Sequence, residues 1–322
     1  MTSEPLVSAI VVNWNGARHL ETCLPSLVSQ SYRPLEIIVV DNASTDDSAA
    51  VVSRFGVRWL PLQRNVGLAP ALSRGAQVAA GEHLLFLNND MRFHENFVES
   101  MVTEIVRDPV VFSVDALQYD WEGRKQVHLA TRLGKKSRAD GICYAVVPTL
   151  YIYQESSGSP TTVLTACAAS MLVRKSMFFA LGGFDERLPL GYEDVELCWR
   201  AWVRGWKSVF VPAAVCWHRV GGSSDSAEGS RLGFRGILGG RLLISTKLLP
   251  VSYTIRTWLA TFVGLARDVV ALRWQRARDR AGVLSENARF LPPLLRERRK
   301  IYRSQHTSPR QQLERLLRWA AV

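Results

Sequence analysis

The chain has no run of about 20 apolar residues, the length a bilayer-spanning helix needs. Its longest uncharged run in the C-terminal third that is free of proline, Thr257 to Ala266, stops at Arg256 and Arg267. A basic-then-apolar leader is missing at the N-terminus, which predicts a cytoplasmic protein synthesised without export. Cysteine is sparse and odd in number: Cys23, Cys143, Cys167, Cys198 and Cys216 share no short metal-binding spacing. That excludes a disulfide scaffold and predicts free thiols in a reducing compartment. Acidic residues thin out after Ser230, where 5 Asp/Glu face 19 Lys/Arg. No internal repeat is visible, and 47% hydrophobic content excludes a disordered chain.

The net charge of +11 therefore divides unevenly, +14 after Ser230 and −3 before it. The asymmetry sets a division into residues 1–230, a compact domain, and 231–322, a basic tail facing a nucleic acid or an anionic membrane. A nucleic-acid partner predicts aromatic stacking positions among the cations and a known binding module, and the tail has neither. Leu313, Leu316, Leu317 and Ala320 share one helical face, with Arg310, Arg315 and Arg318 elsewhere and Trp319 suited to an interface; Leu294-Leu295 leads into Arg296 to Lys300. These patterns predict amphipathic helices lying on the inner face of the cell membrane, drawn by anionic lipid.

Before the tail, apolar runs alternate with helical periods. Val7 to Val12, Leu35 to Val40, Val57 to Leu60 and Leu84 to Leu87 read as strands, followed by helices from about Arg18, Ser44 or Thr45, Ala69 and Glu95. Gly81 reads as the stop of the third helix. Further elements are Val110 to Val114, Thr162 to Val173, Lys175 to Leu181, Glu193 to Arg204 and Ser208 to Val211. Strand-helix alternation predicts an α/β, mostly parallel, doubly wound sheet.

The strands end in polar groups, where such sheets bind ligands. Val7 to Val12 ends in Asn13-Trp14-Asn15-Gly16, Leu35 to Val40 in Asp41-Asn42-Ala43-Ser44-Thr45-Asp46, and Leu84 to Leu87 in Asn88-Asn89-Asp90. Asp41 has two roles open to it, hydrogen bonding a nucleotide or capping the next helix. Asp90 offers a hard oxygen of the kind that holds Mg²⁺ or Mn²⁺ together with substrate phosphates, and His218 a nitrogen. Glu193-Asp194 opens a helix, where acids complement the helix dipole; a carboxylate there could also act as general base. Trp199, Trp202 and Trp206 read as packing residues.

Taken together, Val-Val-Asn-Trp-Asn-Gly, Val-Val-Asp-Asn-Ala-Ser-Thr-Asp, Arg-Asn-Val-Gly, Asn-Asn-Asp, Gly-Gly-Phe-Asp-Glu and Tyr-Glu-Asp-Val-Glu-Leu-Cys-Trp-Arg resemble glycosyltransferase family 2, over roughly Pro5 to Ser224. The resemblance is strongest to the rhamnosyltransferase-like branch that builds bacterial cell-wall or O-antigen polysaccharide. It implies a GT-A fold and inverting transfer from a nucleotide-diphospho-sugar, such as dTDP-rhamnose or a UDP-sugar, to a lipid-linked or glycan acceptor. Asp41 would contact the base, Asn13, Trp14 and Asn15 would line its pocket, and Asn65, Arg74 and Asn89 would complete the donor site. Asp90 and His218 would hold Mg²⁺ or Mn²⁺ against the diphosphate. Asp194 would be the catalytic base, with Glu193, Tyr192 and Trp199 around it. The chain departs from the family at Pro70, Leu72 and Ser73, and in the glycine-free Ala166-Cys167-Ala168-Ala169-Ser170.

Overall fold

The computed structural model describes residues 4–128, 130–132, 152–154, 158–188, 191–219 and 227–319. The chain divides into two compact units, one of residues 1–130, 153–189 and 193–225 and one of residues 131–152, 190–192 and 226–322.

The first unit begins with β1 (Val7–Asn13), α1 (Ala17–Val28), β2 (Leu35–Asp41), α2 (Ser48–Ser53), β3 (Arg58–Pro61), α3 (Leu68–Val78) and β4 (His83–Asn88). β1 pairs in parallel with both β2 and β4, and β2 with β3. β1 and β4, covered on both faces, are buried almost throughout rather than alternating, while β3 forms the more exposed edge. After β4 come β5 (Met91–Phe93), α4 (Phe97–Arg107), β6 (Val111–Asp120) and β7 (Gln126–His128). A separate two-stranded sheet joins β8 (Ala130–Arg132) to β9 (Ile152–Gln154). Then follow β10 (Thr161–Val163), β11 (Ser170–Arg174), α5 (Lys175–Leu181), α6 (Glu193–Val203) and β12 (Lys207–His218).

The main sheet runs β10-β12-β6-β11-β4-β1-β2-β3, and β11 is antiparallel to both β4 and β6 while β12 runs parallel to β6. The expected mostly parallel, doubly wound α/β architecture is present, with β11 as the reversal between two parallel sets. Alternate residues of β4 divide the core. Leu85 and Leu87 join α1 and α4 in one apolar cluster, and Leu84 and Phe86 join α3, α5 and α6 in the other.

Several local expectations change. The second helix starts at Ser48 and is not capped by Ser44 or Thr45; Asp46 accepts the Ser48 amide at 3.1 Å and the Ala17 amide at 2.9 Å, tying α2 to the start of α1. Gly81 does not end α3, which stops at Val78 with Ala79 extended. Its need is steric, because a Cβ there would lie 2.6 Å from the Ser8 amide nitrogen of β1. Pro70 is accommodated in the first turn of α3, where its missing N–H has no intrahelical partner to lose. The strand expected at Ser208 to Val211 continues to His218 past a register shift between Val211 and Val215.

The second unit contains α7 (Ala227–Lys247), α8 (Val251–Val270), α9 (Trp274–Arg303) and α10 (Pro309–Trp319). Leu238, Leu242, Val283 and Leu284 form its core, with Phe234, Trp258 and Leu265 packed around them. Part of the tail's basicity is paired internally. Asp279 is buried and pairs with Arg231 at 2.7 Å and Arg235 at 3.5 Å; Arg280 pairs with Asp268, and Lys247 with Glu297. The Tyr192 ring lies against Gly240, and its hydroxyl accepts from Arg241 Nε at 3.1 Å. The apolar face expected to meet lipid at α10 is turned inward: Leu313 and Leu316 are buried, as is Leu294 of α9. Among the described residues no helix is long and apolar enough to cross a membrane. Ala320 and the side chain of Trp319 lie outside the described residues.

Candidate active site

The carboxyl ends of β1, β2 and β4 converge on Asn13. Its Nδ2 donates to Asp41 Oδ1 at 3.0 Å, Ser44 Oγ at 3.1 Å and Ser48 Oγ at 2.8 Å, and its Oδ1 accepts from Asn89 Nδ2 at 2.6 Å. Gly16 permits this closeness, because a Cβ there would lie 2.1 Å from Asn89 Nδ2 and 2.6 Å from Asn13 Oδ1. Asn13 is fully buried. It sets the positions of Asp41 and Asn89 from behind. Asp41 is also buried and accepts the Ser44 amide at 2.9 Å, so its carboxylate closes the turn after β2 without capping α2.

Trp14 and Asn15 are exposed, and Asn15 sits at φ 50°, with its Oδ1 accepting the Thr45 amide at 2.7 Å. Asn65 joins the cluster through Asn42, whose Nδ2 donates to Asn65 Oδ1 at 2.9 Å and whose Oδ1 accepts the Val66 amide at 2.8 Å. Arg74 stands apart, exposed on α3 with its Nη1 donating to Gln77 at 3.4 Å.

Past β4, Asp90 is 7% exposed, and its Oδ1 lies 3.3 Å from His218 Nε2 at the end of β12. This oxygen has no hydrogen-bond donor among the described residues. The other ring nitrogen, His218 Nδ1, lies 3.1 Å from Gln118 Oε1, and Gln118 Nε2 donates to Ser170 Oγ at 3.1 Å. Ser170 thus holds the far end of the amide whose oxygen faces Nδ1. An amide oxygen facing Nδ1 accepts from it in the tautomer that leaves Nε2 free to bind a cation. An orphaned carboxylate oxygen beside an imidazole nitrogen, with the far ring nitrogen held by a polar partner, fits a divalent cation. Among the described residues no group of three or more His, Cys, Asp or Glu could hold a metal, so further ligands would come from a bound diphosphate and water.

Asp194 lies at the N-terminus of α6, half-buried. Its Oδ1 accepts the Val195 amide at 2.7 Å, and its Oδ2 accepts the Ala168 amide at 3.3 Å. The next carbonyl, Ala169 O, accepts the Asn88 amide at 3.1 Å, so a short backbone path joins Asp194 to the Asn88-Asn89-Asp90 turn. Both acids therefore occupy one end of the sheet. Glu193 is buried beside Asp194. Trp199, on the same helix, is 1% exposed and packs in the interior. Tyr192, expected in the same neighbourhood, has its ring packed on α7 as described above.

Four contributors were given no role from the sequence. Gln118 and Ser170 orient His218. Asp115, fully buried on β6, accepts the Cys167 amide at 3.0 Å, so Asp115 and Asp194 hold neighbouring amides of the glycine-free loop. His19 on α1 lies within electrostatic reach of Asp90: burial lowers its pKa, the Asp90 charge opposes that, and Arg18 and Arg219 add to it. Only spacing within single elements could have signalled any of these, and their partners lie far along the chain. Cys23, Cys167, Cys198 and Cys216 are free, and burial raises the thiol pKa of each, which suits inert packing.

A family model described as glycosyl transferase family 2 matches residues 8–179. The N-acetylglucosaminyl-diphospho-decaprenol L-rhamnosyltransferase of Mycobacterium tuberculosis is 29% identical over 248 residues, covering 70% of this chain and 80% of that protein. The mannosyltransferase PcManGT from Pyrobaculum calidifontis, solved with GDP-Man and Mn²⁺, is similar in structure over 90% of this chain and 88% of its own, with a TM-score of 0.52 at 17% identity. GalNAc-T7, solved with UDP, GalNAc and Mn²⁺, gives a TM-score of 0.55 at 19% identity over 77% of this chain, which spans 51% of its length. With the matched segment running from β1 into α5, more than half of the chain, the chain belongs to glycosyl transferase family 2 and is a glycosyltransferase of GT-A fold.

Proposed function

We propose that the protein transfers rhamnose or a similar hexose, with inversion, from a nucleotide-diphosphate donor to a hydroxyl of a lipid-linked or polysaccharide acceptor in bacterial cell-surface glycan synthesis. The observation that carries the reading is the Asp90–His218 pair, with its orphaned carboxylate oxygen and its Gln118-fixed imidazole. The likeness to the mycobacterial rhamnosyltransferase supports the sugar and the lipid-linked acceptor. Asp41, Asn15, Trp14, Asn65 and Asn89 form the donor's nucleotide side, with Asn13 as their internal brace. Arg74 is retained as an outer contact to donor phosphate.

Mg²⁺ or Mn²⁺ held by Asp90 and His218 would offset the negative charge that develops on the departing diphosphate. Asp194, oriented by the Val195 and Ala168 amides, removes the acceptor hydroxyl's proton as its oxygen bonds to the anomeric carbon. The anomeric C–O bond to the diphosphate breaks on the opposite face, so one base suffices. The basic tail places the enzyme on the inner face of the membrane, where a lipid-linked acceptor resides.

Asp194→Asn is expected to abolish transfer while sparing donor binding by calorimetry. Turnover above about a tenth of wild type would remove Asp194 from the role of base. Chelation should stop transfer and added Mn²⁺ or Mg²⁺ restore it, with product anomeric configuration read by NMR.

A further inference from the structure

Helix α8 is built inside out for a helix of a water-soluble protein. Its buried positions are Thr257, Ala260, Thr261, Gly264 and Asp268. Its outward positions include Val251, Ile255, Leu259, Phe262, Val263 and Val270, each 46–83% exposed. At 3.6 residues per turn those six fall within an arc of roughly 120°, a continuous apolar stripe. Leu272 and Trp274, just beyond the helix, extend the exposed apolar surface.

The inward face explains how such a helix is held. Gly264 lets Arg280 approach, since a Cβ there would meet the guanidinium at 2.7 Å, and Arg280 Nε donates to Asp268 at 3.0 Å. Thr257 and Thr261 return their hydroxyl hydrogen bonds to carbonyls one turn back, at 2.8 Å each. The polar groups are satisfied inside and the apolar ones are left outside.

Charge decides what covers the stripe. From Val251 to Arg278 there are five arginines, Arg256, Arg267, Arg273, Arg276 and Arg278, all exposed. The one acid in that span, Asp268, is buried and paired. Arg256 and Arg267 fall along one edge of the apolar arc, and Trp274 stands at its end. An apolar stripe bordered by cations and free of exposed carboxylate matches the boundary between anionic headgroups and acyl chains.

We propose that the outward face of α8, and not α10, is the surface by which this chain docks on an anionic bilayer. Val251, Ile255, Leu259, Phe262 and Val263 enter the acyl boundary, the arginines take the headgroup phosphates, and Trp274 lies at the interface. The proposal deepens the reading of the tail as a membrane-apposing extension and does not depend on the sugar or the base.

The test is co-sedimentation of the full chain with vesicles of phosphatidylcholine alone and of phosphatidylcholine mixed with phosphatidylglycerol, at low and high salt. Wild type is expected to pellet with the mixed vesicles and to be released by salt. The pair Leu259→Glu/Phe262→Glu should lower partition at least tenfold. The pair Arg267→Gln/Arg273→Gln should lower it about fivefold per arginine at low salt. All four positions are exposed, and thermal melting verifies that the variants stay folded. Failure of wild type to pellet, or unchanged partition of both variants, overturns the proposal. So does a wild-type dimer that Leu259→Glu/Phe262→Glu converts to monomer in sedimentation velocity without loss of vesicle binding, which would assign the stripe to a second copy. Metal-dependent hydrolysis of the nucleotide sugar in solution needs no vesicle, so its presence or absence reports on the catalytic reading separately.

Discussion

At the residue scale, two histidines show how partners decide what an imidazole does. His218 has one nitrogen fixed by Gln118 and the other beside Asp90. Replacing Gln118 with Leu would leave Nδ1 without its acceptor and remove the contact that favours the tautomer with Nε2 free for a cation. Loss of such an outer partner costs roughly 10- to 100-fold in metal affinity. Titration of Mn²⁺ into Gln118→Leu should show that loss, with little change in melting temperature. His83 is the opposite case. It is buried at the start of β4, and neither ring nitrogen has a hydrogen-bond partner among the described residues. Burial, assisted by the Arg174 charge, lowers its pKa from 6.5 to about 4. The unfolded chain therefore takes up a proton near pH 6.5 that the folded chain refuses until about pH 4. Stability falls with acidification across that window, by at most about 1.4 kcal/mol per pH unit, and levels off below it. His83→Leu should remove this slope in denaturant titrations run from pH 7 to pH 4.

At the element scale, α6 carries Asp194 at its first turn and is anchored by a buried pair one turn on. Arg200 Nε and Nη2 donate to the two oxygens of Glu196 at 2.7 and 2.6 Å, and its Nη1 and Nη2 also reach the Leu181 and Gly183 carbonyls. The Gly-Gly-Phe-Asp-Glu and Tyr-Glu-Asp motifs are thus joined by one arginine. Arg200→Met removes the bidentate partner of the buried Glu196 carboxylate and is expected to cost about 3–5 kcal/mol in urea unfolding, with transfer falling in parallel as α6 shifts. Adding Glu196→Leu should recover part of that loss, though the two carbonyls stay unpaired. What the sequence made legible here was the apolar period of each strand and helix and the polar residues at their ends. β4 and its Asn88-Asn89-Asp90 turn were readable because a run of buried residues meeting amides has few other meanings. Gln118 was not readable, because its partner is 100 residues away and periodicity specifies a face, never the group across from it. The same limit applies to the amphipathic faces of the tail. Leu313 and Leu316 have the spacing of an amphipathic stripe, but only packing reveals that it is covered while that of α8 is open.

At the scale of the whole molecule, the charge split of +14 and −3 acquires a physical meaning once the internally paired cations are set aside. Arg231, Arg235, Lys247 and Arg280 answer acids of their own unit, so they hold that unit together and add little to attraction at long range. The arginines from Arg256 to Arg278 remain outward and border apolar surface. A protein held at the surface that contains its acceptor meets that acceptor at a raised local concentration, without any change at the reacting groups. For an acceptor embedded in anionic vesicles, Leu259→Glu/Phe262→Glu should therefore raise the apparent KM by about tenfold or more and leave kcat unchanged. A water-soluble acceptor analogue should show neither effect. High salt should reproduce part of the KM rise in wild type, because screening removes the arginine contribution and spares the apolar one. Equal loss on both acceptors would instead place the defect in the catalytic unit.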